Sequence, residues 1–480
     1  MSDSTSSDYT TFASERDDIH LNDANQQPVY LDISGSINSF SLTVPTFASV
    51  NVSGDAYNFG FNGRNLSANQ TTTITVTGDI TYQPFSIANQ SVTLGDQGLS
   101  LAGPGNFDVN ANSMDLGVSG GIRVLAPDAA LAAISPYGAN LNVTTIGDLT
   151  MTSTKISNES LLGQVNVTVG GALDVGGQFT TYGDAGAPKG IFTASGGNVI
   201  VTASGNVNVD SSRIAAYNGG NVTVESLNGD VNAGAGGSGY VNVTALKLDS
   251  SGNLTTLKSQ IPGSGILATT LSGSDAAEGN ITVEALNGSI NSSQGGILQI
   301  AFNSADTRNS FIDLAAGHDI IATGSGVIGY NIQIKAGGNV DGLIFGSQSV
   351  NINAQNNVDA TVVSGGNVDI NASGEVSGTV ISGGNLDVSG SSITASLIAE
   401  SVSASGDISG ASMGIPQSNV TKENAETADD ASTVASKADD QDDENKKKGK
   451  GIALAQKTGR VTIILPPKQQ PKAQTPDPRT

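Results

Sequence analysis

Side chains able to do chemistry are sparse and scattered in this 480-residue chain. It contains no cysteine and only two histidines, His20 and His318. Thiolate metal sites, disulfide scaffolds and cysteine nucleophiles are therefore excluded. His318 sits in Gly317-His318-Asp319, a turn-forming triplet, and is expected to face solvent. A serine nucleophile would need a G-x-S-x-G elbow between a strand and a helix, and none occurs in that setting. A polysaccharide lyase or hydrolase would need clustered carboxylates, to hold Ca²⁺ or to act as acid and base, with a nearby Lys or Arg. The candidates are Arg64, Arg123, Arg213 and Arg308, and acids spaced singly, such as Asp79, Asp148, Asp230 and Asp319. Each of these Asp residues follows a Gly or Asn-Gly corner and reads as a turn former. Gly338-Asn339-Val340-Asp341-Gly342 approaches a calcium-binding nonapeptide but lacks tandem copies. No catalytic, cofactor-binding or metal-ligating residue is assigned, and the ligand-binding residues remain unknown. The chain is expected not to be an enzyme and to need no cofactor.

The elements that would position any such groups repeat along the chain. Gly-Gly-Asn followed by alternating apolar and polar residues occurs at Gly196-Gly197-Asn198-Val199-Ile200-Val201 and at Gly219-Gly220-Asn221-Val222-Thr223-Val224. It returns at Gly337-Gly338-Asn339-Val340, Gly365-Gly366-Asn367-Val368 and Gly383-Gly384-Asn385-Leu386, with a shorter form at Gly279-Asn280-Ile281. A single-Gly variant occurs at Gly78-Asp79-Ile80, Gly147-Asp148-Leu149, Gly205-Asn206-Val207 and Gly406-Asp407-Ile408. A longer echo joins GGNVTVESLNGDVNA, from Gly219, to EGNITVEALNGSINS, from Glu278. Gly adopts positive φ freely and Asn or Asp tolerates it, so Gly-Asn is a corner. The V-x-V run after it is a short strand with one face inward.

Short strands between Gly corners suit a coil whose successive turns pair in parallel. The expected fold is therefore all-β, a right-handed parallel β-helix (β-solenoid) over residues 29–414. At roughly 20 residues per coil it would hold on the order of 19 coils. A β-propeller would need longer blades with aromatic signatures, and a disordered Gly/Ser chain would not keep the alternation in phase. The composition agrees: 61 glycines, no Trp and 4% aromatics suit a slim Val/Ile/Leu/Ala interior. Helix is expected almost nowhere, with Asp128 to Ala133 the nearest candidate. Asn-x-Thr triplets at Asn142, Asn166, Asn221 and Asn242 are explained as corner Asn, inward Val and outward Thr. Stacked Asn side chains are expected to form ladders between coils.

These Gly-Gly-Asn copies, with Ala316-Gly317-His318-Asp319-Ile320 and Ser14-Glu15-Arg16-Asp17-Asp18-Ile19, resemble the filamentous-haemagglutinin family of large bacterial exoproteins over residues 13 to 414. The resemblance implies a right-handed parallel β-helix passenger, export across the outer membrane and an adhesive fibre that is surface-attached or released. Glycans or proteins of host or cell surfaces would be its partners, along with an outer-membrane transporter. Members begin with a signal peptide and a secretion domain. Neither is recognisable here, so the chain is expected to be the C-terminal part of a longer exoprotein or to carry a misplaced start.

The formal net charge of −23, with only 14% charged residues, argues against nucleic-acid binding. No apolar run is long enough for a transmembrane helix. Residues 1–28 are expected to be a partly disordered or truncated first coil. Residues 415–450 read as a disordered charged linker and 451–480 as a short strand with a Pro-rich tail. The strand Gly459 to Leu465, stopped by Pro466-Pro467, reads as part of a linker and frayed tail, with docking on an anchor or transport partner by adding to a sheet edge as the alternative. The expected function is a structural or adhesive surface exoprotein presenting a long polar face. The alternatives are a passive stalk and, further off, a polysaccharide-active enzyme. Insertions such as Leu246 to Thr270 are where ligand-binding loops would bulge.

Overall fold

The computed structural model describes residues 27–408, except 84, 88–89, 93–96, 178–185, 237–238 and 304–308, and short strands at 412–414, 455–457 and 460–462. The chain divides into two compact units, Met1–Asp439 and Asp440–Thr480. Ser14 to Ile19, His20, Arg308, the linker at 415–450 and nearly all of the expected first coil lie outside the described residues. In the second unit Ala455–Lys457 pairs antiparallel with Arg460–Thr462, so the expected strand is one arm of a small hairpin.

The first unit is all-β. One sheet system of 37 strands runs through it, and the one helix among the described residues is Ala129–Ile134. That helix falls where the sequence suggested it, because the Asp128 side chain accepts the N–H groups of Ala130 and Leu131 at 3.0 and 2.9 Å.

The strands fall into three parallel series that the chain visits in turn. The first begins with Val29–Ile33, Ala48–Val52 and Thr71–Val76. The second holds two-residue strands such as Ile37–Asn38, Ala56–Tyr57 and Ile80–Thr81. The third begins with Ser41–Thr43, Gly60–Arg64 and Gly98–Ala102. Further along, the long strands Ile320–Ala336 and Val340–Ala354 each run through all three series. In every series the partner lies in the next pass of the chain. The echo seen in the sequence is such a pair: Val222 stands on Ile281 and Val231 on Ile290, although 59 residues separate them.

Among the described residues the chain makes fifteen passes through the first series, Val29–Ile33 to Ser401–Ile408, against the nineteen or so expected. The cause is unequal pass length. Neighbouring passes are 18 residues apart near Asn357, but 24, 34 and 59 residues apart elsewhere, because insertions open at the corners.

Inside, matching positions stack in columns. Val167, Val201, Val224 and Val283 lie over one another and are at most 1% exposed. β-Branched side chains fit this pleated stack, and each fully buried one contributes roughly 1.5–3 kcal/mol.

The corners explain the Gly-Asp and Gly-Asn pairs more fully than turn preference does. Asp55 Oδ1 accepts the backbone N–H of Asp79 on the next pass at 3.1 Å, and Asp79 Oδ1 accepts that of Ser113 at 3.1 Å. Asp148 serves Ala172, Asn206 serves Asp230, and Asp319 serves Asn339 in the same way. A Cβ at Gly78, Gly171, Gly229 or Gly338 would overlap the side-chain oxygen reaching up from the pass below. Glycine stands at these corners because that oxygen needs the space.

Three of the four Asn-x-Thr sites depart from the corner explanation. Asn142 and Asn166 face outward within strands, where Asn142 Nδ2 donates to Asp108 at 2.7 Å and Asn166 Nδ2 donates to Asn142 at 2.8 Å. Asn242 belongs to no repeat and lies on an inserted hairpin.

Candidate functional site

Most strands of the first series alternate buried and open positions, as in Val165–Val169. Four neighbouring strands of the third series do not. Gly190–Ser195, Arg213–Tyr217, Gly265–Thr269 and Ile297–Ile300 are buried at every position. Their sequences, such as Ile266-Leu267-Ala268 and Ile297-Leu298-Gln299-Ile300, lack alternation. That is the signature of a strand covered on both faces.

The cover is an antiparallel hairpin, Tyr240–Leu248 paired with Leu254–Pro262. It is inserted between Val231–Asn232 of the second series and Gly265–Thr269 of the third. The insertion expected at Leu246 to Thr270 is thus shifted toward the N-terminus, since Gly265–Thr269 has already rejoined the main sheet. Val241, Val243, Ala245 and Ile261 turn inward and pack with Phe192, Leu267 and Leu298 in a second apolar core outside the main column. Phe192 and Tyr217 meet there with ring centroids 5.8 Å apart.

Several polar ties hold the hairpin. Arg213 is fully buried, and its Nη2 donates to the Gly263 carbonyl at the hairpin base at 2.6 Å. Burial pulls its guanidinium pKa below the ordinary value. The backbone N–H of Leu246 donates to Ser195 Oγ at 2.9 Å, and Lys247 Nζ donates to the Gly273 carbonyl at 3.0 Å. Glu278 closes the far side. Burial holds its carboxyl well above the usual carboxylate range, while Oε1 accepts the Ile300 N–H at 3.1 Å.

The other face of the hairpin is open. Tyr240, 60% exposed, stands opposite Pro262, followed by Asn242 opposite Gln260 and Thr244 opposite Lys258. At the tip Asp249 accepts the N–H groups of Ser251 and Asn253 at 2.8 and 2.9 Å. An aromatic ring, amides, a hydroxyl and a cation on one rigid ribbon can stack against and hydrogen-bond a polar ligand. Tyr240 escaped notice in the sequence because it sits on an outward position of the alternating run Tyr240-Val241-Asn242-Val243, where the pattern marks the inward valines.

The acids considered in the sequence do not gather here. Asp79, Asp148, Asp230 and Asp319 occupy corners along the stack, each engaged with a backbone N–H. His318 is exposed in its corner, and Arg64 pairs with Asp128 at 3.1 Å. Among the described residues no three His, Cys, Asp or Glu could share a metal ion. None of their helices is long and apolar enough to cross a membrane.

One carboxyl pair stands apart. Burial, then a hydrogen bond and the charge of Asp210, raise the Asp174 pKa to about 6. The native state therefore binds the proton more tightly than the unfolded chain, and stability falls as pH rises from 3.8 through about 6. Asp174→Asn is expected to raise the thermal midpoint by a few degrees at about pH 8, with the gain vanishing near pH 4. Equal midpoint differences at both pH values would refute the shared proton.

Residues 219–327 match the family described as filamentous haemagglutinin family outer membrane protein. The matched stretch runs from the Gly219 corner across the whole hairpin and its two flanking passes. No curated protein and no solved structure matches the chain.

Proposed function

We propose that this chain is a structural and adhesive part of a surface-exposed or secreted bacterial exoprotein, built as a right-handed parallel β-helix and without catalytic activity. Support for the helix comes from three series of parallel strands joined pass to pass, since parallel connections of this kind are almost always right-handed. Fifteen passes at one strand spacing would make a rod about 70 Å long. Support for the surface role comes from the family match over residues 219–327.

The ligand class we infer is glycan, bound on the open face of the hairpin. The observation that carries this is Tyr240, exposed beside Asn242 and Gln260 on a ribbon whose other face is locked to the rod. A sugar offers an apolar ring face to the phenol and hydroxyls to the amides. The repeat corners use their polar groups to hold the passes together, whereas the hairpin presents its polar groups on a face that joins no pass.

Binding of the full chain to immobilised glycans tests this. Tyr240→Ala combined with Gln260→Ala is expected to weaken binding about tenfold or more with an unchanged thermal midpoint. Equal binding by the variant, or none by the wild type, would favour a passive stalk.

A further inference from the structure

The outward row of the third series changes character along the rod. Its first members are Asn62, Ser100, Arg123 and Ser157, in register across successive passes. From Phe192 onward the row is apolar: Phe192, Ala215, Leu267, Leu298 and Ile328 stack in order. These five are at most 7% exposed, in the core beneath the hairpin. The same register then continues without interruption into Phe345, Val363, Ile381 and Ile398. These four are only half-buried. Phe345 still packs against the core beneath the hairpin, and the apolar row extends three passes beyond it.

Charge marks this face out from its neighbours. Over the same passes the second series carries Asp341 and Asp359, and the first carries Asp369 and Asp387. Beside the apolar row the third series offers Thr361, Thr379 and Ser396, with one exposed carboxylate, Glu400, just past the end of Ser396–Ala399. With a net charge of −23, two copies approaching by either acidic face would repel each other. The third face brings a second copy close with a single carboxylate, Glu400, at its end. Its chemistry also matches what already covers the row, a flat β-surface with inward Val and Ile.

We propose that Phe345, Val363, Ile381 and Ile398 form the contact through which two copies of this chain pack, sheet face to sheet face. A contact between identical patches is self-complementary under a two-fold axis, so it closes at a dimer. Aligned sheets bury such rows about 10 Å apart. Sedimentation of the full chain, from about 1 to 100 μM, is expected to show a concentration-dependent dimer. Ile381→Glu is expected to raise the dissociation constant at least about 100-fold with an unaltered far-UV spectrum and thermal midpoint, because the side chain points away from the core. Asn371→Glu, on the neighbouring first series, should leave the dimer intact.

Because the chain has no cysteine, Ile381→Cys supplies a single thiol for a second readout. Its maleimide labelling is expected to slow as the protein is concentrated. A wild type that stays monomeric throughout overturns the proposal. So does a dimer indifferent to Ile381→Glu, or a thiol shielded equally at all concentrations, which would mean an intramolecular cover.

Discussion

Valine at Gly220 is expected to destabilise the repeat body by about 3–5 kcal/mol, among the largest effects of any single change outside the core. Gly220 has φ +90°, a conformation very costly for a β-branched residue. Its missing side chain is also where the pass below comes through, since a Cβ there would overlap the Gly197 carbonyl oxygen. Gly279, one pass above, would in turn overlap the carbonyl of Gly220. These glycines stack backbone on backbone, so a side chain at one lifts the next pass off its hydrogen bonds. Loss of hydrogen-exchange protection should centre on Val199–Ala203 and Val222–Ser226. Gly35→Ala is the control. A Cβ there meets nothing within 4 Å, so the change should stay within about 0.5 kcal/mol. If the two variants unfold alike, close approach between passes is not what requires glycine at these corners.

Arg213→Ala is expected to cost about 3–5 kcal/mol and to release the hairpin while the rest of the body stays folded. Arg213 is fully buried and gives its Nη2 proton to the Gly263 carbonyl. Alanine leaves that carbonyl without this donor and opens a void under the hairpin base. Arg213→Lys should fall between, since an ammonium cannot reproduce the planar fork of a guanidinium. Limited proteolysis reads the result, with Lys247 and Lys258 becoming early cleavage sites in the alanine variant and staying protected in the wild type. Unchanged proteolysis would place the docking energy entirely in the apolar row of Phe192, Leu267 and Leu298.

Alternation was legible wherever a strand has one wet face. Val222-Thr223-Val224 and Ile281-Thr282-Val283 stated their inward positions plainly, and their shared echo marked two copies of one unit, which the fold stacks as neighbours. The helix after Asp128 was legible for the same reason, since an N-cap acts within three residues. What could not be read were interactions between residues far apart in sequence. The dipeptide Gly-Asn or Gly-Asp serves two different corners: Gly338-Asn339 leads into the second series, whereas Gly220-Asn221 leads into the first. Counting the motif therefore could not count passes.

Composition and local pattern by themselves determined that this chain is all-β, built of short strands and corners, and poor in reactive groups. Those properties depend on φ preference and side-chain period, which act over a few residues. The tertiary structure alone decided which pass lies on which, that Arg213 is buried, that Tyr240 is presented on a ribbon, and that the third face turns apolar at Phe192. Each of these depends on register between passes up to 59 residues apart, and no local periodicity carries that register.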